Sequence, residues 1–218
     1  MIKSTLALLV FACAAHAQVH ATVSASGQAS IFVPPDQAKI DVTISATGPT
    51  ASAASTKDAT QVTAVLGALT KLLGAAANIK TVNYFVGPVY NNSGQAILNY
   101  SASSTLEITL TNLTLAGTVI DTAIGAGATS VGDVQFSLQN SDNAHNQALS
   151  AATLQAMAHA SAMATALGRS VGVVISVQEV GSTPIVVTGV SGAPSSATTV
   201  VPGLLQVQVS VNLQAELN

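Results

Sequence analysis

The side chains able to do chemistry are few in this chain and far apart. Its 218 residues include four histidines, one cysteine and nine carboxylates. Asp142 and His145 stand three apart, neighbours on one face if the segment is helical. Two ligands at a helix start fall short of the set a zinc site needs, so a capping Asp beside an exposed His is the reading adopted. His145 and His159 are fourteen residues apart on the same predicted helix, ~21 Å at the usual rise, and cannot hold one metal. A Ser-His-Asp or Cys-His system would have to use one of these two, and no residue pattern supports it. Gly189-Val190-Ser191-Gly192 lacks the spacing of a nucleophile elbow. Gly125-Ala126-Gly127 closes a predicted helix, whereas a dinucleotide loop opens one. Asp36, Asp41 and Glu107 would serve as paired acids only if the fold brought them together. Tyr84, Tyr90 and Tyr100 flank one predicted hairpin; they suit either a partner patch or core packing with hydroxyls reaching solvent. No catalytic, cofactor-binding or metal-binding residue is assigned, and neither an enzyme nor a cofactor is expected.

Composition narrows the partners. Charged residues make up 7% of the chain and the formal net charge is −3. With no cluster of Lys and Arg, nucleic acid and anionic lipid are not expected partners. The surface must be built from Ser, Thr, Asn and Gln. So few carboxylates predict stability that varies little in mild acid, testable by unfolding between about pH 4 and 7.

The first residues, MIKSTLALLVFACAAHAQ, carry Lys3 and then an apolar run from Leu6 to Ala15. That run is too short to span a bilayer, which takes about 20 apolar residues. It ends in Ala15-His16-Ala17, an A-x-A site, so residues 1–17 read as a secretory signal peptide, with a cut after Ala21 as the alternative. Either cut removes Cys13, the single cysteine, and no membrane span is expected in the mature chain. Val10-Phe11-Ala12-Cys13 also resembles a lipoprotein box, although Phe11 fits it poorly; it would make Cys13 a lipid anchor. The expected location is periplasmic or secreted.

The elements that must position these residues are legible from periodicity. Val23 to Ile31 and Lys39 to Ser45 alternate as strands. A helix to Leu73 carries Val62, Val65, Leu66, Leu69, Leu72 and Leu73 on one face. Strands follow at Thr81–Tyr90 and within Ile97–Thr111, joined by Asn91-Asn92-Ser93-Gly94. Leu115–Ile124 is a short helix with Leu115, Val119, Ile120 and Ala123 inward, and Val131–Leu138 a strand. Asn143–Leu167 is a long Ala-rich helix, capped by Ser141 or Asp142. Its expected buried face is Leu149, Thr153, Ala156, Ala160, Met163 and Leu167, and so many alanines imply close approach to a sheet or another helix. Val171–Val180 is a strand, Gly181–Pro202 a Gly/Ser/Pro-rich loop, and Leu205–Leu213 a strand of unbroken alternation. The order β-β-α-β-β-α-β-α-β-β predicts an α+β fold: a mixed or antiparallel sheet with helices on one face. From Lys39 to Leu138 it spells the ferredoxin-like β-α-β-β-α-β. Pro34-Pro35 cannot sit inside a ladder, so it ends one pairing and lets the chain re-enter in a new register, with Asp36 bonding the turn.

The same residues carry a resemblance. Val33-Pro34-Pro35-Asp36 with Ala38 resembles the opening signature of the SIMPL-domain (DUF541) family. Pro88-Val89-Tyr90, Gly94 and Ile97 to Ser103 are similar to its central strand pair. Val119 to Ala123 with Gly127-Ala128, then Phe136-Ser137-Leu138, then Ala148 to Gly168 with Gly172 and Glu179 continue it in order. The match makes residues 22–216 one SIMPL domain. It departs at Asn99, where glycine is usual, and at Gln155, His159 and Ser161, where charges are common. The resemblance implies an exported, non-enzymatic protein of the bacterial envelope, with links to oxidative stress and ring-like or channel-like oligomers within the family.

Two functions follow as expectations. One is an exported structural or interaction protein, a homo-oligomer built through strand edges and the late loop, with an envelope partner as a further candidate. The alternative is a periplasmic small-ligand binder or enzyme using carboxylates or the Tyr-rich hairpin. That reading requires a concave pocket with at least two convergent polar side chains.

Overall fold

Alternating and helical patterns become elements where expected. The computed structural model describes residues 21–74, 77–185 and 200–218. The signal segment, Cys13 and the Gly189–Gly192 tetrapeptide lie outside the described residues. The elements are β1 (Thr22–Val33), β2 (Gln37–Gly48), α1 (Ala51–Leu73), β3 (Asn78–Tyr90), β4 (Ile97–Leu110), a 3₁₀ turn at Leu113–Leu115, α2 (Ala116–Gly125), β5 (Ser130–Ser137), α3 (Asp142–Ala166), β6 (Val171–Ile185) and β7 (Leu205–Leu217). The fold is α+β, and every strand pair is antiparallel. β6 continues past Val180 to Ile185, so it takes in the first residues of the stretch read as a loop. Pairing with β7 through Thr183↔Gln208 and Ile185↔Gln206 holds that extension, a long-range contact that local turn chemistry does not reveal. Among the described residues no helix is long and apolar enough to cross a membrane.

The strands form two sheets. One has the order β3-β4-β2-β5 and the other β1-β7-β6. The four-stranded sheet with α1 and α2 is the ferredoxin-like unit: β2 and β3 flank β4, the split β-α-β arrangement. Its core sets Ile40, Val42 and Ile44 of β2 and Leu106 and Ile108 of β4 against Val65 and Leu69 of α1 and Val119 and Ala123 of α2. The helix faces are those the spacing predicts. Thr50 caps α1 by accepting the Ala53 N–H at 3.1 Å, and Gly74, at φ 85°, ends it.

The prolines do more than reset a register. They stand where the chain leaves the three-stranded sheet, after β1, and enters the four-stranded one at β2. Asp36 secures the corner: its Oδ1 accepts the Gln139 N–H at 2.7 Å, and its own N–H donates to the Ser137 carbonyl at 3.2 Å. Gln139 lies where the chain crosses back, between β5 and α3. Both crossings are thus tied together at one point.

The close approach of α3 to a sheet is found, and Ala156 and Ala160 are buried as expected, but the rest of its buried face differs. Ala144, Ala148, Ala152, Ala156, Ala160 and Ala164 are buried, one every fourth residue. Leu149 and Thr153 are half-buried, while Met163 and Leu167 are exposed, Leu167 by 67%. The expected face favoured volume, but the packing demands smallness. A Cβ added to Gly27 of β1 would overlap the Ala152 carbonyl oxygen, so helix and strand backbones touch there. Capping differs too: Ser141 makes no side-chain cap bond, and Asn140 Oδ1 instead accepts the Asp142 N–H at 2.7 Å.

Candidate functional site

The structure separates most of the residues that chemistry would need together. His145 points to β6, with Nε2 3.4 Å from Glu179 Oε1. His159 lies on the opposite flank of α3, where Nδ1 meets the Ser26 carbonyl of β1 at 2.8 Å. That partner is an acceptor, so Nδ1 carries the proton. Of the three carboxylates, Asp36 is occupied at the corner, whereas Asp41 and Glu107 are direct cross-strand partners. They share the open face of the four-stranded sheet with Lys39, whose Nζ is 3.4 Å from Glu107 Oε2, and with Lys80, opposite Glu107. This is a charge-balanced cluster on an open sheet face.

The tyrosines also diverge. Tyr84 bonds Ser55 of α1, hydroxyl to hydroxyl at 2.6 Å. It pairs across to Ser104, a buried serine on the helix-facing side. Tyr100 pairs with Pro88 on that side. Tyr90 lies toward the hairpin end with Ile97 and Leu98, all exposed. Val82, Phe85 and Val89 of β3 are exposed as well.

Three features went unread in the sequence. The first is Asp58, only 1% exposed, whose Oδ2 accepts the Ser104 hydroxyl at 2.6 Å. Its signal was present: Asp58 sits on the same helical stripe as Ala54, Val65 and Leu69. It anchors α1 on β4.

The second is the contrast between the outer edges of the three-stranded sheet. On β1 the Gln28 N–H donates to Gln155 Oε1 at 2.6 Å, and the Ser26 carbonyl is taken by His159. These are two of the helix positions where charges are common in the resemblance. On β6, Val173, Val174, Ile175, Val177 and Val180 are all exposed, Val173 by 71%. Among the described residues no strand pairs with the outer edge of β6.

The third is a trough on the face of the same sheet that carries no helix. It has a volume of about 430 Å³ and is lined by Ser24 and Ser26 of β1, Asn212 and Gln214 of β7, and Ser176 and Gln178 of β6, with Ala25 and Leu213 beneath. The convergent polar side chains required of a binder are here, away from both the carboxylates and the tyrosines. Strand alternation brings them together: Ser24↔Gln214↔Ser176 is one row and Ser26↔Asn212↔Gln178 the next.

This α+β architecture joins a ferredoxin-like unit at a proline corner to a helix-backed three-stranded sheet. The SIMPL family model, described as a protein of unknown function (DUF541), matches residues 23–215, and the chain belongs to that family. It is also similar to the 26 kDa periplasmic immunogenic protein of Brucella melitensis biotype 1, at 25% identity over 212 residues covering 90% of this chain and 85% of the relative. The protein of the same name from Brucella abortus strain S19 matches equally.

Proposed function

We propose that this chain is an exported envelope protein, periplasmic or secreted, with a structural or interaction role exercised by self-association and with no catalysis. The observation that carries the reading is β6. It is a fifteen-residue edge strand with apolar side chains exposed on both faces. An exposed, long, apolar edge invites pairing unless something blocks it, and the other edge of the same sheet is blocked. The hairpin patch around Tyr90 and Leu98 offers a second contact. Export rests on the periplasmic naming of the Brucella relatives and on the apolar, A-x-A-terminated start of the chain. Light scattering after size exclusion at several concentrations tests the assembly. A discrete oligomer is expected, and a monomer that persists at high concentration refutes it.

A further inference from the structure

We propose that the trough across β1, β7 and β6 binds an uncharged oligosaccharide. The argument begins with what lines it. All six polar side chains are hydroxyls or carboxamides, and none of them ionises. A hydroxyl or carboxamide both donates and accepts hydrogen bonds. A phosphate or sulfate wants donors and positive charge, a cation wants acceptors, and an acyl chain wants apolar walls. An uncharged polyol presents mixed donors and acceptors at every position and so matches such a lining.

Exposure to water also demands a polar face, and in this chain such a face is built largely from Ser, Thr, Asn and Gln, so what sets the trough apart is where the charges go. The chain has few charges, and on its other open sheet face it places Lys39, Asp41, Lys80 and Glu107. The trough receives none of them. Its volume, about 430 Å³, leaves room for a ligand, ~300–1,000 Å³ being usual for such sites, without selecting one. The face then continues along β7 through Gln208 and Gln206, with Gln206 Nε2 donating to Ser30 Oγ at 2.9 Å. It ends at Phe32, paired with Gln206 and 60% exposed. An extended glycan laid along β7 from Gln214 to Gln206 meets neutral polar groups and an aromatic face at one end, with Glu216 beyond the other end, so the ligand is an oligomer rather than a single sugar. The site lies on the sheet face and shares Ser176 and Gln178 with the edge strand β6, but it does not use the open backbone edge that self-association would pair.

Isothermal titration of the purified chain with N-acetylchitotetraose, maltotetraose, the matching disaccharides and a sulfated heparin tetrasaccharide tests the assignment. One or both neutral tetrasaccharides should bind saturably and more tightly than their disaccharides, and the sulfated one should not. Asn212→Ala and, independently, the edge-strand variant Gln178→Ala should each weaken binding roughly tenfold or more, because each strands partner groups unpaired. Unchanged thermal melting of Gln178→Ala separates lost binding from lost folding. The proposal is overturned if neither neutral sugar binds, if the sulfated sugar binds as well, or if both variants bind normally. It also fails if these variants shift the oligomer by light scattering while no sugar binds, since the face would then be a contact between copies.

Discussion

β1 and β6 are the two edges of one three-stranded sheet, and they are treated in opposite ways. Both present a row of unpaired backbone groups. On β1 a helix side chain takes the Gln28 N–H and another takes the Ser26 carbonyl. On β6 the helix offers only His145, 3.4 Å from Glu179, and the strand is left with valines and an isoleucine in solvent. The cause is where α3 lies. Its alanine stripe and Gly27 let it settle closely over β1, and that placement puts Gln155 and His159 within reach of the β1 backbone. One helix cannot cover three strands, so β6 goes bare. Edge protection in this sheet is thus a by-product of helix placement. Register shifts along β6, between Val171 and Val174, Val174 and Ser176, and Glu179 and Ser182, bend the open edge. They limit it to a partner that follows the same twist.

Breaking the open edge should have the largest effect. Val173→Lys with Ile175→Lys should abolish the proposed oligomer, read by light scattering, while shifting unfolding free energy by no more than about 0.5 kcal/mol, the usual range for surface changes. An oligomer that survives would remove β6 from the assembly. Next in size is Gly27→Ala, which drives a methyl into the α3 backbone. Urea denaturation should show a loss of ~1–3 kcal/mol, as overpacking generally costs; a neutral result would mean that α3 does not depend on that close approach. Opening the closed edge comes third. Gln155→Ala and His159→Ala should each cost about 0.5–1.5 kcal/mol and together let β1 pair, giving a larger species than the parent forms. No new species would show that the hydrogen bonds stabilise β1 without guarding it. The smallest effect belongs to Glu179→Gln, which weakens a half-exposed pair worth ~0–1 kcal/mol and should leave the oligomer intact.

Much of the fold was legible because strands and helices differ in period. The inward residues of α1 and α2 follow from spacing alone, since there burial rewards volume: Val65, Leu69, Val119 and Ala123 are where the pattern puts them. The same rule misread α3, because a helix pressed on a glycine selects the smallest side chains and turns Met163 and Leu167 outward. Asp58 was legible in principle, as a carboxylate on an apolar stripe. The trough was not: its six polar residues come from three strands, and the pairs Ser24–Gln214 and Gln178–Asn212 arise only through register.

By itself the sequence determined the element order, the antiparallel alternation of Leu205 to Leu213, the ferredoxin-like stretch and the break at Pro34-Pro35. Each is a local consequence of side-chain period or of a missing N–H. Tertiary structure alone decided that the break divides two sheets, that α3 settles over β1 with Met163 and Leu167 turned outward, that β1 is tied off while β6 stays open, and that six neutral side chains share one trough. Those outcomes depend on which strands pair and how closely a helix approaches them. Such long-range choices are settled by burial and hydrogen bonding summed over the whole chain, and no window of neighbouring residues records them.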